Sequence, residues 1–128
     1  MAESALGRLL RKLREDQGFS LREVANRGGV DHAYVYRLET GDKEAPSEEV
    51  MAKLIGALSP TQRDIDLLRF LASHPISDMG LVDFAAKDQS VTVDEFNMLT
   101  SVVNRGARPD YATSLARIRR FMREEEDG

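Results

Sequence analysis

Apolar residues recur at helical spacing along most of the chain, and polar or helix-breaking residues separate the segments. In the first segment Leu6, Leu9, Leu10 and Leu13 follow the i, i+3, i+4, i+7 spacing of one buried helix face. Gly18 is expected to end this helix. No segment alternates between apolar and polar residues for long enough to indicate a strand. The pattern predicts an all-α chain of eight helices.

The second and third predicted helices are short and lie on either side of a glycine turn. Ser20 begins the second helix with a capping box that includes Glu23, in which hydroxyl and carboxylate each satisfy a free backbone N–H. Gly28 and Gly29 break this helix, and Asp31 is the expected N-cap of the third.

Capping residues also mark the starts of the remaining helices. Ser47 is the expected N-cap of the fourth helix, and Ser59 of the fifth, with Pro60 in its first helical position. The last three helices are predicted over 78–87, after a capping box that begins at Thr92, and from about Asp110 onward.

Composition excludes several classes of function. The chain has 128 residues, a net charge of −4, two histidines and no cysteine. Disulfides, thiolate zinc sites and cysteine nucleophiles are therefore excluded, and we expect no metal site and no cofactor. The sequence contains neither a glycine-rich phosphate loop nor a nucleophile beside a histidine, so an enzyme is not expected. No apolar stretch is long enough to cross a membrane, and the start does not resemble a secretory signal, so a cytoplasmic, nucleoid-associated protein is expected.

The segment 21–40 carries the pattern that indicates function. Val24, Val35 and Leu38 are apolar, Ala25 is small enough for close helix packing, and Gly29 suits a turn with positive φ. This spacing is that of a DNA-binding helix-turn-helix. With the capped helices on both sides, residues 5–73 closely resemble the XRE family of Cro/CI-type repressors, which implies a five-helix, lambda-repressor-like domain.

The resemblance implies roles for individual residues. The positions that face base edges in the family are occupied here by His32, Ala33 and Arg37. The positions near the DNA backbone are occupied by Leu21, Arg22, Tyr36, Thr40 and Lys43. Arg14 and Glu39 match a structural ion pair between the first helix and the end of the recognition helix. The implied partner is a double-stranded DNA operator.

The sequence departs from the family at three positions. Gly28 stands where an apolar residue normally seals the core, which is expected to leave the turn looser. Leu21 stands where the family has a glutamine that contacts phosphate, and Asp31 places a negative charge at the mouth of the groove. The first 46 residues hold eight basic and eight acidic side chains, so a single copy is expected to bind weakly. Two copies on half-sites about one helical turn apart would be needed, which predicts a homodimer.

The boundary between the two predicted units lies at residue 75, with a DNA-binding domain over 1–75 and a helical dimerisation or regulatory module of about three helices over 76–128. The module either packs on the first domain or completes a core with a second subunit, and its apolar content favours the second arrangement. The expected dimer or partner surface comprises Phe96, Leu99, Val103, Leu115, Ile118, Phe121 and Met122. The arginines at 117, 119, 120 and 123 are interpreted as a solvated face.

The segment 104–109, Asn-Arg-Gly-Ala-Arg-Pro, gives the module a second resemblance. It is similar to damage-response repressors that ImmA/IrrE-type metallopeptidases inactivate by cleavage. This resemblance implies a cleavage loop at Asn104, Arg105 and Gly106 and a metallopeptidase partner. An alternative is an antitoxin whose C-terminal helices bind a toxin while the N-terminal domain regulates its own gene.

Overall fold

The computed structural model describes residues 3–102 and 110–127, which form eight helices and no strand. The prediction of an all-α chain is confirmed. The helices are α1 (Ala5–Asp16), α2 (Leu21–Gly28), α3 (His32–Thr40), α4 (Glu48–Leu58), α5 (Gln62–Ser73), α6 (Met79–Lys87), α7 (Val93–Val102) and α8 (Tyr111–Asp127). Within these residues no helix is both long and apolar enough to cross a membrane.

Local capping residues begin most of these helices where the sequence predicts. The Ser20 hydroxyl accepts a hydrogen bond from the Glu23 N–H, and the Glu23 carboxylate accepts one from the Ser20 N–H, both at 3.1 Å. Asp31 caps α3 by accepting from the Ala33 N–H at 3.0 Å. The second capping box, between Thr92 and Glu95, is also present. These caps satisfy N–H groups that a helix start leaves without partners.

The predicted start of α5 is wrong by two residues. Thr61, not Ser59, is its N-cap, and the Thr61 hydroxyl accepts from the Asp64 N–H. Ser59 instead ends α4 in the left-handed conformation, with φ of 46°. Pro60 therefore lies between the helices and not in the first turn of α5. Two hydroxyl residues stood near the boundary, and the local pattern did not distinguish them.

The turn between α2 and α3 is compact. Gly29 has φ of 69°, and the Val30 N–H donates to the Ala25 carbonyl at 3.0 Å. Gly28 lies so close to α4 that a Cβ there would be 3.2 Å from the Lys53 carbonyl oxygen. The expectation of a loose turn is wrong, because the missing side chain at Gly28 permits α2 to approach α4 closely.

One hydrophobic core extends through the N-terminal and C-terminal helices. Residues of α6, α7 and α8 are buried in the same cluster as those of α1 to α5. α6 packs on α1, and α7 packs on α5. Phe96, Leu99 and Leu115 are each at most 4% exposed within the single chain. Their expected place on a dimer surface is therefore wrong, and this part of the module packs on the N-terminal helices.

An arginine fastens the C-terminal helices to α5. The Arg63 guanidinium donates to the carbonyl oxygens of Ala85 at 2.6 Å, Val91 at 3.0 Å and Asp88 at 3.3 Å. It also pairs with the buried carboxylate of Asp64 at 2.9 Å. Arg63 thus ties the end of α6 and the segment before α7 to α5.

Two further arginines make similar long-range contacts. Arg8 of α1 donates two hydrogen bonds to Asp83 of α6, at 2.7 and 2.8 Å. Arg119 of α8 donates to Glu95 of α7 at 2.8 Å and to the Ser90 carbonyl at 3.1 Å. The interpretation of the arginines at 117 to 123 as a solvated face is therefore wrong for Arg119, which joins α8 to α7.

Candidate nucleic-acid interface

One face of α3 is buried and the opposite face is open to solvent. Val35 and Leu38 lie in the core, whereas His32, Tyr36 and Arg37 are exposed. Tyr36 is 55% exposed, which is unusual for an aromatic side chain. In the part of the chain that the structure describes, the Arg37 guanidinium has no hydrogen-bonding or ion-pairing partner. The exposed face thus presents free polar groups at the positions expected to face DNA.

Asp31, His32 and Ala33 lie together at the start of α3. Asp31 caps the helix through Oδ1, and the Nδ1 atom of His32 lies 3.8 Å from the same oxygen. Ala33 is half-buried and Tyr34 packs against the core. His32 therefore extends from the helix start toward solvent, and Ala33 leaves space beside it.

The start of α2 offers backbone donors next to this face. The capping box uses the N–H groups of Ser20 and Glu23. The N–H groups of Leu21 and Arg22 lie in the first turn, where helix geometry provides no acceptor. The positive end of the helix dipole favours an anion at this point. The Leu21 side chain packs against the core, so a phosphate contact here falls to the backbone and to the exposed Arg22.

The segment after α3 carries the other predicted backbone contacts. Gly41 turns the chain with φ of 82°, and the N–H groups of Asp42 and Lys43 both donate to the Arg37 carbonyl. This turn places the exposed Lys43 directly beyond the end of α3. The Thr40 hydroxyl donates to the same carbonyl at 3.3 Å, which leaves its oxygen available as an acceptor.

A buried junction holds these elements in a fixed relation. The guanidinium of Arg14 donates to both carboxylate oxygens of Glu39, at 2.7 and 2.9 Å, and to the Phe19 carbonyl at 2.9 Å. The hydrogen bond with Glu39 raises the pKa of Arg14 above its ordinary value. Since Phe19 precedes the Ser20 cap and Glu39 lies in the last turn of α3, this junction connects the two helix ends that frame the exposed face.

Two contacts that support this arrangement were not predicted from the sequence. Gly7 lies where α1 crosses the end of α3, and a Cβ there would collide with the backbone carbonyl oxygens of Leu38 and Glu39. A glycine in the middle of a leucine-rich helix was the available signal. Arg27 also stacks over the Phe19 ring at 4.3 Å, a cation–π contact that holds the segment before α2.

The predicted C-terminal residues divide into three groups. Phe96, Leu99 and Leu115 are core residues, as described above. Ile118 and Met122 are half-buried, and Phe121 is 58% exposed. Val103 and the predicted cleavage residues Asn104, Arg105 and Gly106 lie outside the residues that the structure describes. No group of His, Cys, Asp or Glu side chains able to hold a metal occurs in residues 3–102 and 110–127.

Comparison with known proteins agrees with this geometry. Residues 5–68 match the family described as "Helix-turn-helix domain", and the chain belongs to this family. It is thus a DNA-binding protein of the helix-turn-helix class. A solved structure, the clp gene regulator ClgR from C. glutamicum, is 36% identical, and the alignment covers 54% of this chain and 84% of that chain with a TM-score of 0.45. No curated protein matches the chain.

Proposed function

We propose that the chain is a dimeric repressor of the XRE type that reads an operator in the major groove with α3. The observation that carries this proposal is the exposed face of α3, where Arg37 has no hydrogen-bonding or ion-pairing partner among residues 3–102 and 110–127 and His32 and Tyr36 are exposed to solvent.

The roles of the side chains follow from their positions. Arg37 is suited to a bidentate contact with the O6 and N7 acceptors of guanine. His32 and Ala33 face neighbouring base edges from the helix start. The backbone contacts are assigned to the N–H groups of Leu21 and Arg22 and to Tyr36, Thr40 and Lys43. Such phosphate contacts fix the orientation of the protein, whereas the base contacts supply specificity.

The second copy is proposed to bind through the exposed end of α8. Among the predicted surface residues that the structure describes, Ile118, Phe121 and Met122 remain at least partly exposed in the single chain. The helix carries basic residues from 117 to 123 and acidic residues from 124 to 127. An antiparallel pair of α8 helices would place each basic segment against the acidic segment of its partner.

This dimer is tested by sedimentation at micromolar concentration. Phe121→Asp is expected to convert a dimer into a monomer, and Tyr36→Asp, at the other exposed aromatic, is the matched control and should stay dimeric. A wild-type chain that sediments as a monomer and copurifies with a different protein would support the alternative, an antitoxin. In that case the exposed α8 residues contact a toxin.

We further propose a separate role for each part of the chain and a mechanism of inactivation. Residues 1–75 supply DNA binding, and residues 76–128 supply regulation, with cleavage at 104–106 by a metallopeptidase as the inactivating step. A cut there separates α8 from the rest of the chain and so removes Phe121. Intact-mass analysis after incubation with such an enzyme tests this idea, and cleavage at other positions alone removes it. A DNA-binding role implies work in the cytoplasm.

DNA binding itself is tested by fluorescence anisotropy at near-physiological salt. DNA from directly upstream of the gene is compared with a scrambled duplex of the same length and composition. A specific regulator should bind the upstream fragment more than about a thousandfold more tightly. Equal, weak binding to both duplexes would remove the repressor proposal.

A further inference from the structure

Asp31 lies at the start of α3, on its exposed face, and the proposed function gives it no contact with DNA. Its Oδ1 atom accepts the Ala33 N–H and so caps α3. Its side chain is 72% exposed. In the described part of the chain the second carboxylate oxygen, Oδ2, has no partner within hydrogen-bonding distance. Asp31 thus presents a free acceptor at the end of α3 that enters the groove in helix-turn-helix complexes.

The capping role alone does not call for a carboxylate. Hydroxyl side chains cap the other four helices of the helix-turn-helix region, namely Ser4, Ser20, Ser47 and Thr61. Serine caps a helix about as well as aspartate does. On a surface that approaches a polyanion, a carboxylate weakens binding unless it accepts a hydrogen bond from the nucleic acid. The acid at position 31 therefore has a cost for DNA binding that a serine would avoid.

The base edges of the major groove show what such an acceptor can recognise. Guanine presents two acceptors, and thymine presents an acceptor and a methyl group, so neither suits a carboxylate. Adenine offers its N6 amino donor beside the N7 acceptor, which repels a negative charge. Cytosine offers its N4 amino donor without an adjacent acceptor, and carboxylates are paired with this group in known complexes. Cytosine is the base that fits best.

We propose that Asp31 is a specificity-determining residue, which accepts a hydrogen bond from the N4 amino group of a cytosine in each half-site. The inference rests on the proposed function, since it requires α3 to lie in the major groove. The negative charge of Asp31 would then disfavour bases that present acceptors at that position of the major groove. His32 and Arg37 supply the donors of the same face, and Asp31 supplies its acceptor.

The test is selection from a duplex library with a random core roughly 20 base pairs wide, which spans two half-sites. The full-length wild-type chain, Asp31→Asn and Asp31→Ser are each used for selection and the bound DNA is sequenced. Both variants keep a good N-cap and remove the charge. Asp42→Asn removes the same charge from the exposed segment beyond α3 and serves as the matched control.

The wild type is expected to enrich cytosine at one position of each half-site. Both Asp31 variants should lose about five- to tenfold of that preference, the lower end of the range for a base contact, and keep the others. Asp42→Asn should keep every preference. If both Asp31 variants kept every base preference, Asp31 would act only as a helix cap and the proposal would be overturned. Equal losses of base preference at every position would also overturn it. A wild type that enriches no sequence would instead remove the proposed function, and this inference with it.

Discussion

The N-terminal five helices and the C-terminal three are held together by different means. In α1 to α5, helix starts are capped by their own neighbours, and Gly7 and Gly28 permit backbones to approach closely. In α6 to α8, arginines reach across the chain to carbonyls and carboxylates, as Arg63 does from α5. Local caps occur in both regions, but the close backbone crossings at glycine lie in the first region, whereas arginine contacts between residues far apart in the sequence attach the second region to it.

The largest expected effect tests the arginine-held region. Arg63→Ala removes one hydrogen-bond donor from each of three carbonyls and takes the cationic partner from the buried Asp64 carboxylate, which among the described residues keeps only the Gln89 amide. We expect the free energy of unfolding to fall by about 3–4 kcal/mol, as when one partner of a buried pair is removed. Urea denaturation measures the loss, and amide exchange should rise first in α6 and α7.

The matched control for this variant is another arginine of α5. Arg69 pairs with Glu48 at 2.7 Å, but both side chains are largely exposed. Arg69→Ala should therefore change the free energy of unfolding by no more than about 1 kcal/mol. Equal losses in the two variants would contradict the view that Arg63 fastens the C-terminal helices.

The next effect tests the region held by backbone geometry. Gly7→Ala would place a methyl group against the carbonyl oxygens of Leu38 and Glu39, so α1 and α3 must move apart. We expect a loss of about 2–3 kcal/mol in the free energy of unfolding, typical of overpacking. Thermal denaturation followed by circular dichroism measures it.

Gly56→Ala on α4 is the control, because a Cβ at Gly56 meets no atom within 4 Å. That variant should be stabilised by up to about 1 kcal/mol through helix propensity. If both alanines were tolerated equally, the close crossing at Gly7 would not hold the first region.

Arg37→Ala separates binding from stability. The free energy of binding to the selected operator should weaken by about 1–3 kcal/mol, with relaxed preference at one base pair. The free energy of unfolding should not change, since Arg37 is exposed and its guanidinium makes no hydrogen bond or ion pair with the described residues. Arg11→Ala is the control, because Arg11 is exposed on α1 and pairs only with Glu15. An equal loss on scrambled DNA would make Arg37 a phosphate contact.

The smallest expected effect is a change in the stability of the fold at acidic pH. The hydrogen bond from Arg119 holds the pKa of Glu95 below its ordinary value of 4.5. The stabilisation this gives is complete above pH 4.5 and is lost as the pH falls through the lowered pKa. Glu95→Gln keeps the capping box and removes the charge.

We therefore expect a difference between wild type and Glu95→Gln of about 1 kcal/mol in the free energy of unfolding at neutral pH. Denaturation at a series of pH values should show this difference shrinking below pH 4.5. A difference that grew in acid would show that Glu95 is not stabilised as the anion.

The sequence was sufficient for the helices and for the helix-turn-helix because their signals are local. Caps, glycine turns and apolar spacing lie within a few residues of the elements they define. The apolar stripes of α7 and α8 were equally visible, but a stripe does not say which surface will cover it. Phe96 and Leu99 were therefore assigned to a second subunit, although their own chain buries them.

The arginine contacts could not be predicted in the same way. Arg8 and Asp83 are 75 residues apart, and their pairing depends on how α6 lies on α1. Surface arginines and tethering arginines have the same sequence pattern until the fold is known. The expectation of a loose turn at Gly28 was wrong for a related reason. A glycine can leave a gap in the core or permit a close contact, depending on which atoms lie opposite it in the fold.

The continuous core has a consequence for the lifetime of the protein in a cell. Because α6 and α7 pack on α1 and α5, removing them would uncover apolar surface of the DNA-binding half. Exposed surface of this kind raises the population of open states, which cellular proteases degrade. Loss of the C-terminal helices would thus shorten the half-life of the fragment that remains.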